Sequence, residues 1–428
     1  MRIAVVGAGI SGLSAALRLQ TDHQVVLFEQ EHRAGGHTHT VDVTIDGITA
    51  AVDTGFLVYN ERTYPLLIAL FSELGIAQAP TDMSFAASIG PHRLEWCGSN
   101  LASLLAQPAN LFRPGFWRMV RDVLRFNREA TALALDEGAA ERLDEPLERF
   151  LLREGYSDEF RDAYLLPMAA AIWSCPASSM MRFPVGSFVR FFHNHGLLQI
   201  EGRPRWFTVP GGARQYVDKI LSRLEDVRLG QPVVSVTRRP SPAGTTVTVH
   251  TASGSEEFDQ VVLACHSDQS LALVADADPE EKALLTAIRY QPNRALLHTD
   301  PSLMPARRRA WAAWNYLSDG NPGAPAVSVT YWLNRLQPLP LSRPVFVTLN
   351  PLSEPAAHTL IREIQYAHPI FDRGAMRAQK RLRARQGLRN TWYAGAWMGY
   401  GFHEDGLRSG LEVASAIARL HAPLSRAA

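Results

Sequence analysis

The chain opens with a short apolar run, residues 2–6 (RIAVV), then GAGISG, then LSAALRLQ, whose apolar positions recur at helical spacing. An apolar run of that length bounded by glycine reads as a strand buried on both faces, so the pattern predicts strand, tight turn and helix. A second run, QVVLFE, predicts a parallel neighbour and ends on Glu29. Beyond about residue 80 the period changes. Stretches such as FWRMVRDVLRFNREA and LERFLLREGY predict that residues 98–165 are rich in helix. Residues 206–217 (WFTVPGGARQYV) predict a strand, a Gly-Gly turn and a helix, and residues 226–236 a turn followed by a strand. Runs at 244–251 and 258–265 predict further strands, the last returning to the parallel sheet. Residues 285–350 predict long antiparallel strands, and TWYAGAWMGYGFHEDGLRSGLEVASAIARL predicts a strand, a glycine-rich loop and a final helix.

The first unit carries chemistry. Gly7 permits the tight turn, Gly9 lets backbone approach a pyrophosphate, and Gly12 lets helix pack on strand. The helix start, at Ile10 and Ser11, offers N–H groups and a positive dipole end to phosphate. Glu29 lies 20 residues beyond Gly9, where a carboxylate accepts from both ribose hydroxyls and disfavours a 2′-phosphate. NAD and FAD both use such a unit, and the next segment separates them. Gly35–Gly36 follow the ribose-binding strand directly, and the polar run from His37 leads to a new strand. That extension is similar to the glutathione-reductase-like FAD proteins and points to FAD, and because the terminal loop lacks the cysteine-bearing motif of covalently linked relatives the FAD is expected to be non-covalent. Asp53-Thr54-Gly55 resembles the D-x-G element that brings backbone to the isoalloxazine ring in related flavoproteins. His37 and His39 lack a third ligand nearby, so no metal is expected.

The expected fold is α/β: a glutathione-reductase-like, Rossmann-type FAD domain interleaved with an α+β substrate domain of helices on an antiparallel sheet. Residues 1–85, 205–272 and 386–428 are assigned to the first, 86–204 and 273–385 to the second. At 428 residues two domains are natural. A net charge of +1 gives no global pull towards nucleic acid. Cys97, Cys175 and Cys265 form no CxxC pair, and a reducing, cytoplasmic setting without signal peptide or membrane span is expected. Lysine is scarce: Lys219, Lys282 and Lys380.

The order of GAGISG, Glu29, Gly35–Gly36, the 206–217 segment and the terminal glycine-rich loop resembles the flavin amine oxidase and phytoene desaturase superfamily. DTGFLVYNERTYP, DMSFAAS, AIWSCP, the stretch from FFHNHGLLQ to GRPRWFTVPGG, and GYGFHEDGLRSG are similar to the flavoprotein domain fused to plant cyclopropane fatty acid synthases and to its stand-alone bacterial relatives. The resemblance spans essentially the whole chain. It implies an FAD-dependent oxidoreductase that dehydrogenates or desaturates a fatty acyl chain of a membrane lipid. Its alternatives are a flavin amine oxidase acting on a small amine and a redox-silent FAD-binding partner of a lipid methyltransferase. The resemblance also implies that Val234 meets adenine through its backbone. It further places Gly399, Gly406 and Leu407 in the terminal loop and helix start facing the flavin. Amine oxidases usually carry an acid after the terminal Ala-Gly, where this chain has Ala396-Trp397, and Asp405 is the substitute considered.

For the chemistry itself, His403, His193 and His195 are the proton-handling candidates, since imidazole titrates near neutrality. The amine oxidase group often holds a lysine near the flavin, but the corresponding stretch here, YQPNRALLHTD, has none. Tyr331, Trp332, Trp397 and Tyr400 are candidates for an aromatic sandwich, and Tyr59, Trp173 and Cys175 for further pocket lining. Two basic stretches predict peripheral membrane contact: Arg118, Arg121, Arg125 and Arg128 beside Phe116, Trp117 and Phe126, and a second run from Arg373 to Arg389.

Overall fold

The computed structural model describes residues 1–90, 93–136, 145–173, 180–199, 202–241, 244–321 and 326–420. A five-stranded sheet has the order Asp226–Arg228, Gln24–Phe28, Arg2–Val6, Gln260–Leu263, Thr391–Tyr393. Every neighbouring pair is parallel. Arg2–Val6 is central, and its alternation divides two cores, as strand geometry requires. Ile3 and Val5 pack with the helices Ile10–Leu19, Pro65–Leu74, Arg214–Leu221 and His403–Arg419. Ala4 and Val6 pack on the other side, against the antiparallel strands Val233–Ser241, Gly244–Thr251 and Gly254–Phe258 and the helices Pro279–Thr286 and Arg373–Ala384. Ile10–Leu19 and His403–Arg419 approach closely because a Cβ at Gly410 would lie 2.2 Å from the Ser11 carbonyl oxygen.

A second sheet of seven strands runs Leu360–Ile370, Arg289–His298, Phe346–Leu349, Val327–Trp332, Trp314–Ser318, Phe85–Ile89, Leu94–Cys97. It is antiparallel except where Trp314–Ser318 runs parallel to Phe85–Ile89. That pair joins segments more than 200 residues apart in sequence, so local periodicity could not announce it. Helices Pro114–Leu135, Leu147–Arg153, Leu166–Trp173 and Val185–Asn194 form an aromatic core around Phe126, Phe160, Phe188 and Phe192.

The basic helix Pro114–Leu135 is amphipathic, and its buried face includes two of the three aromatics named above. Phe116 and Phe126 are buried in protein cores, Arg118 pairs with Glu159 at 2.5 Å, and Arg125 lies over the Tyr156 ring at 3.8 Å. In the second run Arg381 and Arg385 pair with Glu280, and Arg389 pairs with Asp276. Folding thus pairs several of these charges with neighbouring acids. Among the described residues no helix is long and apolar enough to cross a membrane.

Candidate active site

A cavity of about 1580 Å³ runs from the carboxyl ends of the parallel strands to the seven-stranded sheet. At its first end it is lined by Gly7, Gly9, Ile10, Ser11, Glu29, Gly35 and Gly36. Helix Ile10–Leu19 has Gly9 as its N-cap, with no side chain capping its first N–H groups, which leaves them for an anion. A Cβ at Gly9 would meet nothing within 4 Å, so open space lies above that backbone. Gly12 works differently: a Cβ there would sit 1.8 Å from the Gly7 carbonyl oxygen, so it serves helix–strand contact. The Glu29 carboxylate accepts from Ala8 N–H at 2.8 Å and Glu31 N–H at 3.0 Å, which fixes it at the cavity edge. Val234 is 56% exposed, and Gln231 and Val233 are the lining residues there.

The middle of the cavity is walled by His37, Thr54, Gly55, Phe56, His266, Tyr290, Tyr366, His368 and His403. Gly55 is required because a Cβ would lie 2.2 Å from the His37 carbonyl oxygen. Asp53 points away from the cavity. Its carboxylate accepts from Ala213 N–H at 3.0 Å and from the Gln337 amide at 2.8 Å, tying the loop to both halves of the molecule. Burial pushes the Asp53 carboxyl up to about 7.

Burial also strips charge from the imidazoles. It pushes His403 down to about 3, and His195 and His368 to about 4. His37 falls well below its ordinary value through burial, reinforced by the neighbouring His368, His266 and His403. At neutral pH these rings are uncharged hydrogen-bonding groups. His37 Nε2 is buried with no protein partner, and a bound group bearing polar ring atoms would supply one.

His403 lies on the cavity wall, stacked on Phe56 at 4.0 Å with its Nε2 bonded to the Tyr216 hydroxyl at 2.8 Å. His195 also lines the cavity; its Nδ1 donates to the Phe191 carbonyl at 3.0 Å, leaving Nε2 as its lone pair. His193 is half-buried and is not a wall residue.

In the terminal segment the wall is built from Gly395, Ala396, Trp397, Gly401, Phe402 and His403 rather than from Gly399, Asp405, Gly406 and Leu407. The helix starts at His403, three residues before Gly406, whose N–H is already bonded to the Phe402 carbonyl. Asp405 closes its own loop by accepting from Tyr400 and Phe402 N–H, and a Cβ at Gly399 would collide with that carboxyl. Gly406 packs against Ile10, and Leu407 is wholly buried.

Of the pocket candidates, Tyr331 and Trp397 are wall residues. Tyr59 is instead core, packed edge-on to Phe71 at 5.2 Å. Trp173 belongs to the aromatic cluster, 4.5 Å from Phe191, and Cys175 lies outside the described residues. The proposed sandwich is not assembled. Tyr331 packs on Trp314, Trp332 on Trp311, Tyr400 on Phe191, and Trp397 donates to the Cys265 carbonyl. His266, Tyr366 and His368 were missed. His266 lies three residues beyond the end of the strand Gln260–Leu263, where ligands of such sheets sit, whereas His368 reaches the wall only through long-range pairing.

The far arm is lined by Met83, Phe85, Trp96, Tyr164, Met168, Ile172, Trp314 and Leu349. Asp82, the carboxylate lining nearest to this arm in sequence, is paired with Arg335 at 3.3 Å.

A glycine cradle at an open helix start, a ribose-side carboxylate and a long cavity between two sheets define a dinucleotide-binding oxidoreductase. The family model for flavin containing amine oxidoreductase matches residues 10–296, and the chain belongs to that family. It is an oxidoreductase that uses FAD. Three solved structures share the fold over 98% of this chain and 99% of theirs. They are cyclohexylamine oxidase from Brevibacterium oxydans IH-35A (16% identity, TM-score 0.70), putrescine oxidase bound to putrescine (18%, 0.68) and a CLA-producing fatty acid isomerase from P. acnes (16%, 0.67).

Proposed function

We propose that the protein dehydrogenates a fatty acyl chain of a membrane lipid, with bound FAD accepting the hydride. The observation that carries this reading is the far arm of the cavity. Its described wall is aromatic and aliphatic, and an alkylammonium ion there would lose hydration without an unpaired carboxylate to replace it. An acyl chain has no such cost, and its burial is favourable by about 0.8 kcal/mol per methylene. The fatty acid isomerase of P. acnes is a precedent for lipid chemistry on this fold. The resemblance to the flavoprotein domain of plant cyclopropane fatty acid synthases supports the same substrate class.

In this reading the chain's own residues position and dehydrate. The uncapped helix and Glu29 hold the cofactor's ADP half, the neutral imidazoles and Tyr366 face its ring end, and the apolar arm aligns the acyl carbons. Access from a bilayer is assigned to the exposed apolar residues Leu101, Leu111, Phe112 and Trp117, which follow the wall residues Gly98 and Ser99. Trp117 Nε1 donates to the Leu111 carbonyl at 2.9 Å, which holds part of that patch together.

The test is the oxidised-flavin absorbance of the purified protein, mixed anaerobically with bacterial phospholipid vesicles. Bleaching is expected, and Met168→Arg should abolish it while leaving flavin content unchanged. Bleaching by a panel of amines but not by vesicles would overturn the acyl reading in favour of amine oxidation. Bleaching by neither would favour a redox-silent partner of a lipid methyltransferase.

A further inference from the structure

The strand Arg289–His298 carries Asn293, fully buried, in the stretch where a lysine is absent. Its side chain belongs to a chain of amides whose orientation the backbone dictates. Asn350, held at φ 48°, accepts from Arg294 N–H through Oδ1 at 3.0 Å. Its Nδ2 is therefore the amide nitrogen, and it donates to Asn293 Oδ1 at 2.7 Å. Asn293 Nδ2 in turn donates to the Gln291 carbonyl at 3.0 Å and meets His368 Nδ1 at 2.8 Å. An amide nitrogen only donates, so His368 Nδ1 must be the acceptor and the ring proton must sit on Nε2. Protonating Nδ1 would set two donors against each other. His368 lies on the cavity wall with its ring 5.2 Å from that of His37, and Nε2 is the ring nitrogen that Asn293 does not engage.

We propose that Asn350 and Asn293 lock His368 as a neutral Nε2–H donor aimed at the flavin end of the cavity, where it hydrogen-bonds the isoalloxazine ring. Asn293 and Asn350 are positioning residues, and His368 is the group that touches the cofactor. The arrangement differs from a histidine poised as a base, because its basic nitrogen is spent on Asn293. A donor to a ring atom that gains negative charge on reduction favours the reduced flavin. The inference rests on flavin occupying this end and is independent of the acyl substrate: failure of lipid bleaching would leave both readouts below unaffected.

The experiment uses the FAD-loaded protein labelled with ¹⁵N at histidine, with the His368 signals identified by their loss in His368→Gln. The expected result is an unprotonated Nδ1 and a protonated Nε2 at neutral pH, with a mixture of tautomers appearing in Asn293→Leu. A protonated Nδ1 in the unaltered protein would overturn the lock. The second readout is the flavin midpoint potential against a reference dye. Glutamine reproduces the acceptor–donor pair of this tautomer, so His368→Gln should keep the potential close to that of the unaltered protein. His368→Leu should lower it by about 30 mV, a tenfold change in the two-electron equilibrium. Equal potentials in the unaltered protein, the Gln variant and the Leu variant would overturn the donor role.

Discussion

Removing the Glu29 carboxylate should weaken FAD binding sharply without unfolding the protein. Its two oxygens accept from Ala8 and Glu31 N–H at 2.8 and 3.0 Å and sit at the edge of the cofactor cavity. Glu29→Ala deletes the acceptor for the ribose hydroxyls and releases the loop that presents it. Hydrogen bonds to a charged group are each worth about 1.5–3 kcal/mol. Glu29 is only half-buried, so water will recover part of two such bonds, leaving a net loss of about 2–4 kcal/mol. At 1.4 kcal/mol per decade that is roughly a 30- to 1000-fold rise in Kd. Glu29→Gln keeps one acceptor oxygen and should fall between the two. The assay is fluorescence titration of FAD into flavin-stripped protein, with Glu61→Ala as a surface-acid control. A Kd for Glu29→Ala within about threefold of the unaltered protein, with an unchanged melting curve, would refute the placement of the cofactor's ribose at this carboxylate.

Asp53 gives a prediction in pH. Its folded-state value of about 7, against an ordinary 3.8, means that the native state keeps a proton which the unfolded chain has released. The associated stability is therefore fully present below about pH 4 and is lost as pH rises towards 7, by up to about 4 kcal/mol. Asp53→Asn cannot titrate, so its cost in urea unfolding should be largest at pH 4.5 and shrink by pH 7.5; a constant difference would contradict this. His403→Ala removes the Phe56 stack and the Tyr216 bond, and should cost about 2–3 kcal/mol of stability. Because its Nε2 is engaged and its ring neutral, flavin reduction in that variant should stay within about threefold. A hundredfold loss with retained flavin would make His403 a proton-transfer group.

The parallel half of the molecule was legible because its rules are local. Strand, Gly7-x-Gly9-x-x-Gly12, helix and Glu29 lie within 30 residues; Gly7 and Gly12 answer to backbone contacts, and Gly9 leaves open space above the helix start. In the terminal loop the candidates lie off the cavity wall for a physical reason. Gly399, Asp405 and Gly406 look like cofactor contacts in sequence, but the acid turns back to cap Tyr400 and Phe402 N–H, and the glycines make room for it and for Ile10. Aromatic candidates split by position, not by type: all four are buried, but Tyr59 and Trp173 pack within the cores, whereas Tyr331 and Trp397 border the cavity. His368 was invisible because its orientation is set by Asn293 on the neighbouring strand and by Asn350 just beyond the end of the strand Phe346–Leu349.

The Asp53 carboxylate bonds Ala213, which begins the helix below the parallel sheet, and Gln337, which follows the Val327–Trp332 strand of the other sheet. A strand end stitched on both sides in this way resists acting as a hinge, because opening it would strand a buried acid among broken bonds. The two halves therefore meet as a fixed seam rather than as jaws. A ligand of such a site would enter a preformed cavity rather than one that closes around it.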